Sequence, residues 1–210
     1  MSSLTIWTLD WVPPAPRGFV RDLRLRWACE EAGLPYTVRT IPFDGRETNH
    51  LAQQPFGQVP FLQDEGVEMF ESGAGLLHLA GKSERLMPRD PAAAAATLQW
   101  TIAALNSIEM ASVPWWFLKM SGAADNPLTG WLTQRLDHME RVLGEQEWLA
   151  AGRFTVADLL MADVLRIPAV RTFSDRPATE SYVARVTDRA AFRKAHADQI
   201  RHFEAADQNR

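Results

Sequence analysis

The chain has 210 residues, 46% hydrophobic and 23% charged, a composition that excludes global disorder and a length that suits one large domain or two smaller ones. Its 22 basic and 26 acidic side chains leave a formal charge of −4, which excludes the positive field of a non-specific nucleic-acid binder. The single cysteine, Cys29, excludes an intrachain disulfide framework and a cysteine-based zinc cluster.

The first ten residues, MSSLTIWTLD, lack the basic start and apolar core of a secretory leader, and no apolar run approaches the ~18 residues of a membrane span. A cytoplasmic location with no membrane partner is therefore expected. Leu4 to Leu9 reads as a strand, and the proline-rich stretch from Pro13 to Pro16 as a loop. A helix can start near Arg17. In it Phe19, Val20, Leu23 and Trp27 share one face, Leu25, Cys29 and Ala32 another, and Arg17, Arg21 and Arg24 form a stripe between them. Gly33 stops this helix, and Tyr36 to Phe43 is the second strand. A polar helix-like piece spans Arg46 to Gln53. Val59 to Leu62 and Val67 to Phe70 then read as an antiparallel pair joined by Gln63-Asp64-Glu65-Gly66.

A helix from Ser72 to Lys82 follows, and Met87-Pro88-Arg89-Asp90-Pro91 has the character of an interdomain linker. Beyond it Leu98, Ile102 and Leu105 keep helical spacing, as do Leu132, Leu136, Met139 and Leu143, so the second half is expected to be all-helical. The expected domains are 1–84 and 91–210, with 85–90 as the linker. Thr155 and Asp158 form a capping box flanked by Phe154 and Leu159, a helix-start signal. The five histidines make no metal-ligand spacing, and no metal is expected.

The densest motif is Gln54-Pro55-Phe56-Gly57-Gln58-Val59-Pro60-Phe61-Leu62, followed across the hairpin by Met69-Phe70-Glu71-Ser72. This run resembles the glutathione transferase family, as do Arg26-Trp27 through Tyr36 and the downstream Phe154-Thr155-Val156-Ala157-Asp158. The resemblance implies an α+β thioredoxin-like N-terminal domain, an all-α C-terminal domain, and glutathione as co-substrate. It also implies a homodimer and attack of the glutathione thiolate on a small apolar electrophile.

The residues support parts of that reading on their own chemistry. A Ser72 hydroxyl beside the free amides of a helix start can hold a carboxylate, and Glu71 adds a negative charge. Together they suit a group with both a carboxylate and an ammonium, such as the γ-glutamyl end of glutathione; the plainer alternative is a simple helix cap. Val59-Pro60 is the expected site of a cis bond that exposes the Val59 main chain, which the resemblance implies holds the cysteinyl part of glutathione; an edge-strand proline is the alternative. Gln58 is expected to contact the ligand in preference to Gln54, with a solvated loop glutamine as the alternative. Trp115 and Trp116 either belong to a core or wall an apolar co-substrate pocket with Trp11.

The family pattern breaks at the thiolate. Thr8 to Gly18 reads TLDWVPPAPRG and contains no Tyr, Ser or Cys. Cys29 falls among apolar residues, a poor position for a nucleophile. Arg17 at a helix start is then the expected thiolate partner, against the alternative of a solvated charge, and Thr8 is a weaker candidate. The competing function is a non-catalytic glutathione-binding or protein-interaction member of the same fold.

Overall fold

The computed structural model describes residues 4–208 apart from 47, 123, 124 and 172. It divides into two compact units. Unit 1 comprises Met1–Leu86 with Arg189–Arg210, and unit 2 comprises Met87–Asp188.

Unit 1 is built on a four-stranded sheet of β1 (Thr5–Leu9), β2 (Thr37–Ile41), β3 (Phe61–Asp64) and β4 (Val67–Phe70), in the order β2-β1-β3-β4. β1 runs parallel to β2 and antiparallel to β3, and β3 and β4 form a hairpin. This is the expected thioredoxin-like arrangement. The hairpin turn is Glu65-Gly66, with φ of +49° and +85°. Two consecutive left-handed residues match the twist of the flanking strands, which shortens the turn to two residues from the four-residue linker expected.

The first helix, α1 (Asp22–Ala32), starts five residues later than Arg17. Residues 14–20 instead make successive three-residue turns, with Arg17 N–H donating to Pro14 and Phe19 N–H to Pro16, and Gly18 takes a φ of +80° that no right-handed helix accommodates. The expected helix over Arg46–Gln53 is likewise a chain of turns in its described residues. Arg24 and Arg26, at 2% and 3% exposure, are buried, which corrects the solvated stripe expected for Arg24. α1 is covered nearly all round because a further helix packs on it.

That helix is α9 (Ala190–Asp207), the last of the chain. The sequence assigns it to the helical domain by position, yet it clusters with unit 1. The reason is visible in its contacts. Arg189 donates two hydrogen bonds to the Glu31 carboxylate at 2.6 and 2.8 Å, and Lys194 reaches Glu30 at 2.7 Å. Gln199 donates to the Val20 carbonyl and to buried Asp22. Phe203 enters a core cluster with Leu9, Val12, Ile41 and Phe61. A Cβ at Gly18 would lie 2.5 Å from His196 Nε2, so the imidazole packs directly over this glycine. α2 (Ser72–Gly81) completes unit 1.

Unit 2 is helical, as expected: α3 (Pro91–Ala103), a π-helical segment (Ala104–Glu109), α4 (Met110–Met120), α5 (Thr129–Glu145), α6 (Val156–Leu165), α7 (Pro168–Arg171) and α8 (Pro177–Thr187). α6 is buried on every side, as an apolar helix without a polar face must be. Leu132, Leu136, Met139 and Leu143 of α5 are buried, as their spacing predicts. The α3 spacing misleads. Leu98 and Ile102 are 45% and 41% exposed, while Thr97 and Thr101 are fully buried. Small residues let α3 approach α6 closely, and both threonine hydroxyls are satisfied by the carbonyl four residues back, at 2.8 and 2.7 Å. Among the described residues no helix is long and apolar enough to cross a membrane.

Candidate functional site

Sheet register brings the expected glutathione residues to one end of unit 1. Phe61 pairs with both Trp7 and Phe70. Val59-Pro60, which precedes β3, therefore lies at the same sheet end as Glu71-Ser72, which follows β4. The end of β1 and the loop after it share that end because β1 and β3 are antiparallel. The Val59-Pro60 peptide is cis, and none of the loop and turn hydrogen bonds among the described residues uses the Val59 amide or carbonyl.

Glu71 stands at φ +69°, ψ +119°, an unusual backbone for a residue with a Cβ, and it turns the chain from β4 into α2. No side chain caps α2, and its first main-chain bond is Gly75 N–H to the Glu71 carbonyl at 2.9 Å. The amides of Ser72, Gly73 and Ala74 thus have no intrahelical acceptor, and the positive end of the helix dipole adds to them. Ser72 is 6% exposed, and its hydroxyl accepts a hydrogen bond from Arg24 Nη1 at 3.1 Å. Glu71 is exposed. Such a terminus can hold an anion, with the Glu71 carboxylate available for an ammonium beside it.

Two buried side chains, Gln54 and His50, shape the loop before Val59. Gln54, 2% exposed, accepts hydrogen bonds through Oε1 from the amides of Phe56 and Gln58 at 2.6 and 3.2 Å. His50, 3% exposed, donates from Nε2 to the Gln58 carbonyl at 2.7 Å and stacks on Phe61. The Gln58 main chain is fixed by both, while its side chain is exposed. The signal available in sequence was a histidine and a glutamine flanking the loop, which hydrophobic pattern does not score.

The thiolate candidates fare differently. Arg17 is not in the first turn of α1. Its guanidinium donates to both oxygens of Asp207, at 2.7 and 2.6 Å, and to the Val12 carbonyl at 3.0 and 3.1 Å. Trp11 Nε1 donates to the same carboxylate at 2.7 Å. The hydrogen bonds from Arg17 and then from Trp11 hold the Asp207 carboxyl down to about 2, so it is charged at neutral pH and offsets the Arg17 cation. Thr8 is fully buried, and its hydroxyl has no hydrogen-bond partner among the described residues. It shares a β1 face with Ile6, also fully buried. Cys29 is enclosed, and burial, reinforced by the charges of Glu30 and Asp64, pushes its thiol up to about 12; it is inert as a nucleophile.

Of the three tryptophans expected at a co-substrate pocket, Trp115 is 3% exposed and belongs to the interior of unit 2: its indole donates to Thr129 Oγ1 at 3.2 Å and its ring meets Phe173 edge-on. Trp116 is 37% exposed, edge-on to Phe117. Trp11, in unit 1, is partly buried and edge-on to Phe43. Among the described residues no group of three or more His, Cys, Asp or Glu side chains is arranged to hold a metal ion.

Residues 16–81 match the model of the glutathione S-transferase N-terminal domain. Glutathione S-transferase 1 of Schizosaccharomyces pombe is 30% identical over 147 residues, 63% of this chain and 64% of that protein. Glutathione S-transferase F7 of Arabidopsis thaliana is 26% identical over 161 residues, 69% of this chain and 77% of its own. Glutathione S-transferase 1 of Zea mays is 39% identical over 70 residues, and this chain spans about a third of its length. Among solved structures, the theta class glutathione S-transferase of Xanthomonas axonopodis pv. citri, with glutathione bound, superimposes with a TM-score of 0.74 at 26% identity, covering 93% of this chain and 97% of that one. A glutathione transferase from Pseudomonas putida with bound glutathione disulfide gives 0.77 at 21% identity, covering 93% and 91%.

Proposed function

We propose that this chain is a member of the glutathione transferase family and binds glutathione, as a transferase, at the sheet end carrying Val59-Pro60 and Glu71-Ser72. The observation that supports this most is the Phe61–Phe70 register, combined with the uncapped start of α2. The γ-glutamyl carboxylate would accept from the Ser72 hydroxyl and the amides of the first α2 turn, and the Glu71 carboxylate would take the ammonium. The cysteinyl part would pair with the Val59 main chain as a short added strand beside Pro60, with the Gln58 side chain as a flanking contact. The co-substrate would be a small apolar electrophile. A cytoplasmic homodimer is part of the same proposal.

The Arg17 guanidinium and the Thr8 hydroxyl remain the proposed side-chain aids to the thiolate, but in weakened form. Arg17 brings a charge already opposed by Asp207, and Thr8 a hydroxyl enclosed under the sheet. Those two observations favour the second reading, a glutathione-binding member of the fold without transferase activity.

Calorimetric titration with glutathione, followed by a screen of electrophiles, tests both readings. Glu71→Ala and Ser72→Ala are each expected to raise the dissociation constant about 10-fold, the scale of one charge-assisted hydrogen bond. Parent-like affinity in both variants would reduce the pair to a helix start. Tight binding by the parent with no turnover of any electrophile would favour the non-catalytic reading.

A further inference from the structure

We infer that Arg24 is a positioning residue for the carboxylate end of the ligand, acting through the Ser72 hydroxyl; this rests on the glutathione reading above. Arg24 lies within α1 at 2% exposure, and its Nη1 sits 3.1 Å from Ser72 Oγ. Sequence periodicity places it on the polar stripe with Arg17 and Arg21. The packing of α1 against α2 turns it inward instead.

A serine hydroxyl carries one proton and two lone pairs. Arg24 is a pure donor and so occupies a lone pair of Ser72, which leaves the hydroxyl proton to be given elsewhere. At the uncapped start of α2 that proton has the same natural recipient as the open amides, an anion. The result is a relay of aligned donors, guanidinium to hydroxyl to carboxylate, in which each bond polarises the next. The cation lies behind the hydroxyl, out of water, where its attraction for an anion is screened less than a surface lysine's would be. Arg24 thus sets both the direction of the Ser72 proton and the charge of the seat without touching the ligand. A glutathione with its carboxylate held this way would be more firmly oriented, whereas the thiol end would feel Arg24 only indirectly.

The test is binding of two probes to Arg24→Met, Arg24→Lys, Ser72→Ala and the Arg24→Met/Ser72→Ala double variant. One probe is glutathione. The other is the analogue that lacks the γ-glutamyl α-carboxylate. Arg24→Met is expected to weaken glutathione about 10-fold or more, with Arg24→Lys about 3-fold above the parent because the charge survives while the fork is lost. The analogue is expected to bind all four variants within about 2-fold of the parent, and the double variant to be no weaker for glutathione than about 2-fold beyond the poorer single, since both act on one relay.

A merely structural Arg24 would weaken both probes alike, and that result overturns the inference. So does parent-like glutathione affinity in Arg24→Met while Ser72→Ala binds weakly, an outcome that leaves the glutathione reading standing. If Ser72→Ala and Glu71→Ala both bind glutathione like the parent, the reading itself fails and the inference with it. Should Arg24→Met not fold, Arg24→Lys decides by the same two-probe comparison.

Discussion

Asp158→Ala isolates how a single buried carboxylate organises unit 2. Asp158 is fully buried and accepts four hydrogen bonds: from the amides of Leu149 and Thr155 at 2.9 Å each, from the Thr155 hydroxyl at 3.1 Å and from the Tyr182 hydroxyl at 3.0 Å. Removing it strands the two amides, neither of which can reach water. Tyr182 keeps a longer contact to the Asp158 carbonyl at 3.3 Å, and the Thr155 hydroxyl still accepts from the Ala157 amide at 3.3 Å. At about 1–3 kcal/mol for each stranded buried donor, with a smaller loss at the hydroxyls, the expected destabilisation is about 4 kcal/mol. For a urea m-value of about 2 kcal/mol/M this moves the unfolding midpoint by about 2 M. Thr155→Ala keeps the Asp158 bonds to Leu149, Tyr182 and its own amide, and should cost only about 1 kcal/mol as a lost cap. Urea unfolding followed by circular dichroism measures both. A loss below about 1 kcal/mol in Asp158→Ala, or equal losses in the two variants, would refute the view that stranded donors dominate.

Glu140 of α5 accepts from the amides of Ala178 and Thr179 and from the Thr179 hydroxyl at 2.7–2.8 Å, so it caps α8 from another helix. Burial tends to raise its pKa, but the three donors and Arg176 outweigh it and the carboxyl sits below its ordinary 4.5. A depressed folded-state pKa means that the stabilisation is present above pH 4.5 and is lost as pH falls through the lower folded value. Acid unfolding of Glu140→Gln should therefore show a shallower loss of stability below pH 4.5 than the parent, and superimposable slopes would contradict the assignment. Cys29, with its thiol pushed up to about 12 and no exposure, should resist a thiol reagent at pH 8 in the folded protein and react completely in denaturant; rapid labelling under native conditions would show that α1 opens far more often than its packing implies.

Sequence alone determined the two-part architecture, most element types, and the motif positions, because each rests on local chemistry. The Thr155–Asp158 box is a reciprocal pattern three residues apart, and its bonds form as the spacing requires. The cis Val59-Pro60 peptide and the helix start at Ser72 are likewise read from neighbouring residues. The tertiary structure alone decided three things. α9 packs against α1 through Arg189, Lys194 and Gln199, whose partners lie 158 to 179 residues away. The buried face of α3 is Thr97 and Thr101 and not Leu98 and Ile102, since close helix approach selects small side chains over hydrophobic ones. Arg17 and Arg24, which share one expected stripe with Arg21, part company: Asp207 claims one and Ser72 the other. Periodicity reports which residues share a face, but the worth of a charge on that face depends on what packs against it, and a distant segment of the chain supplies that partner.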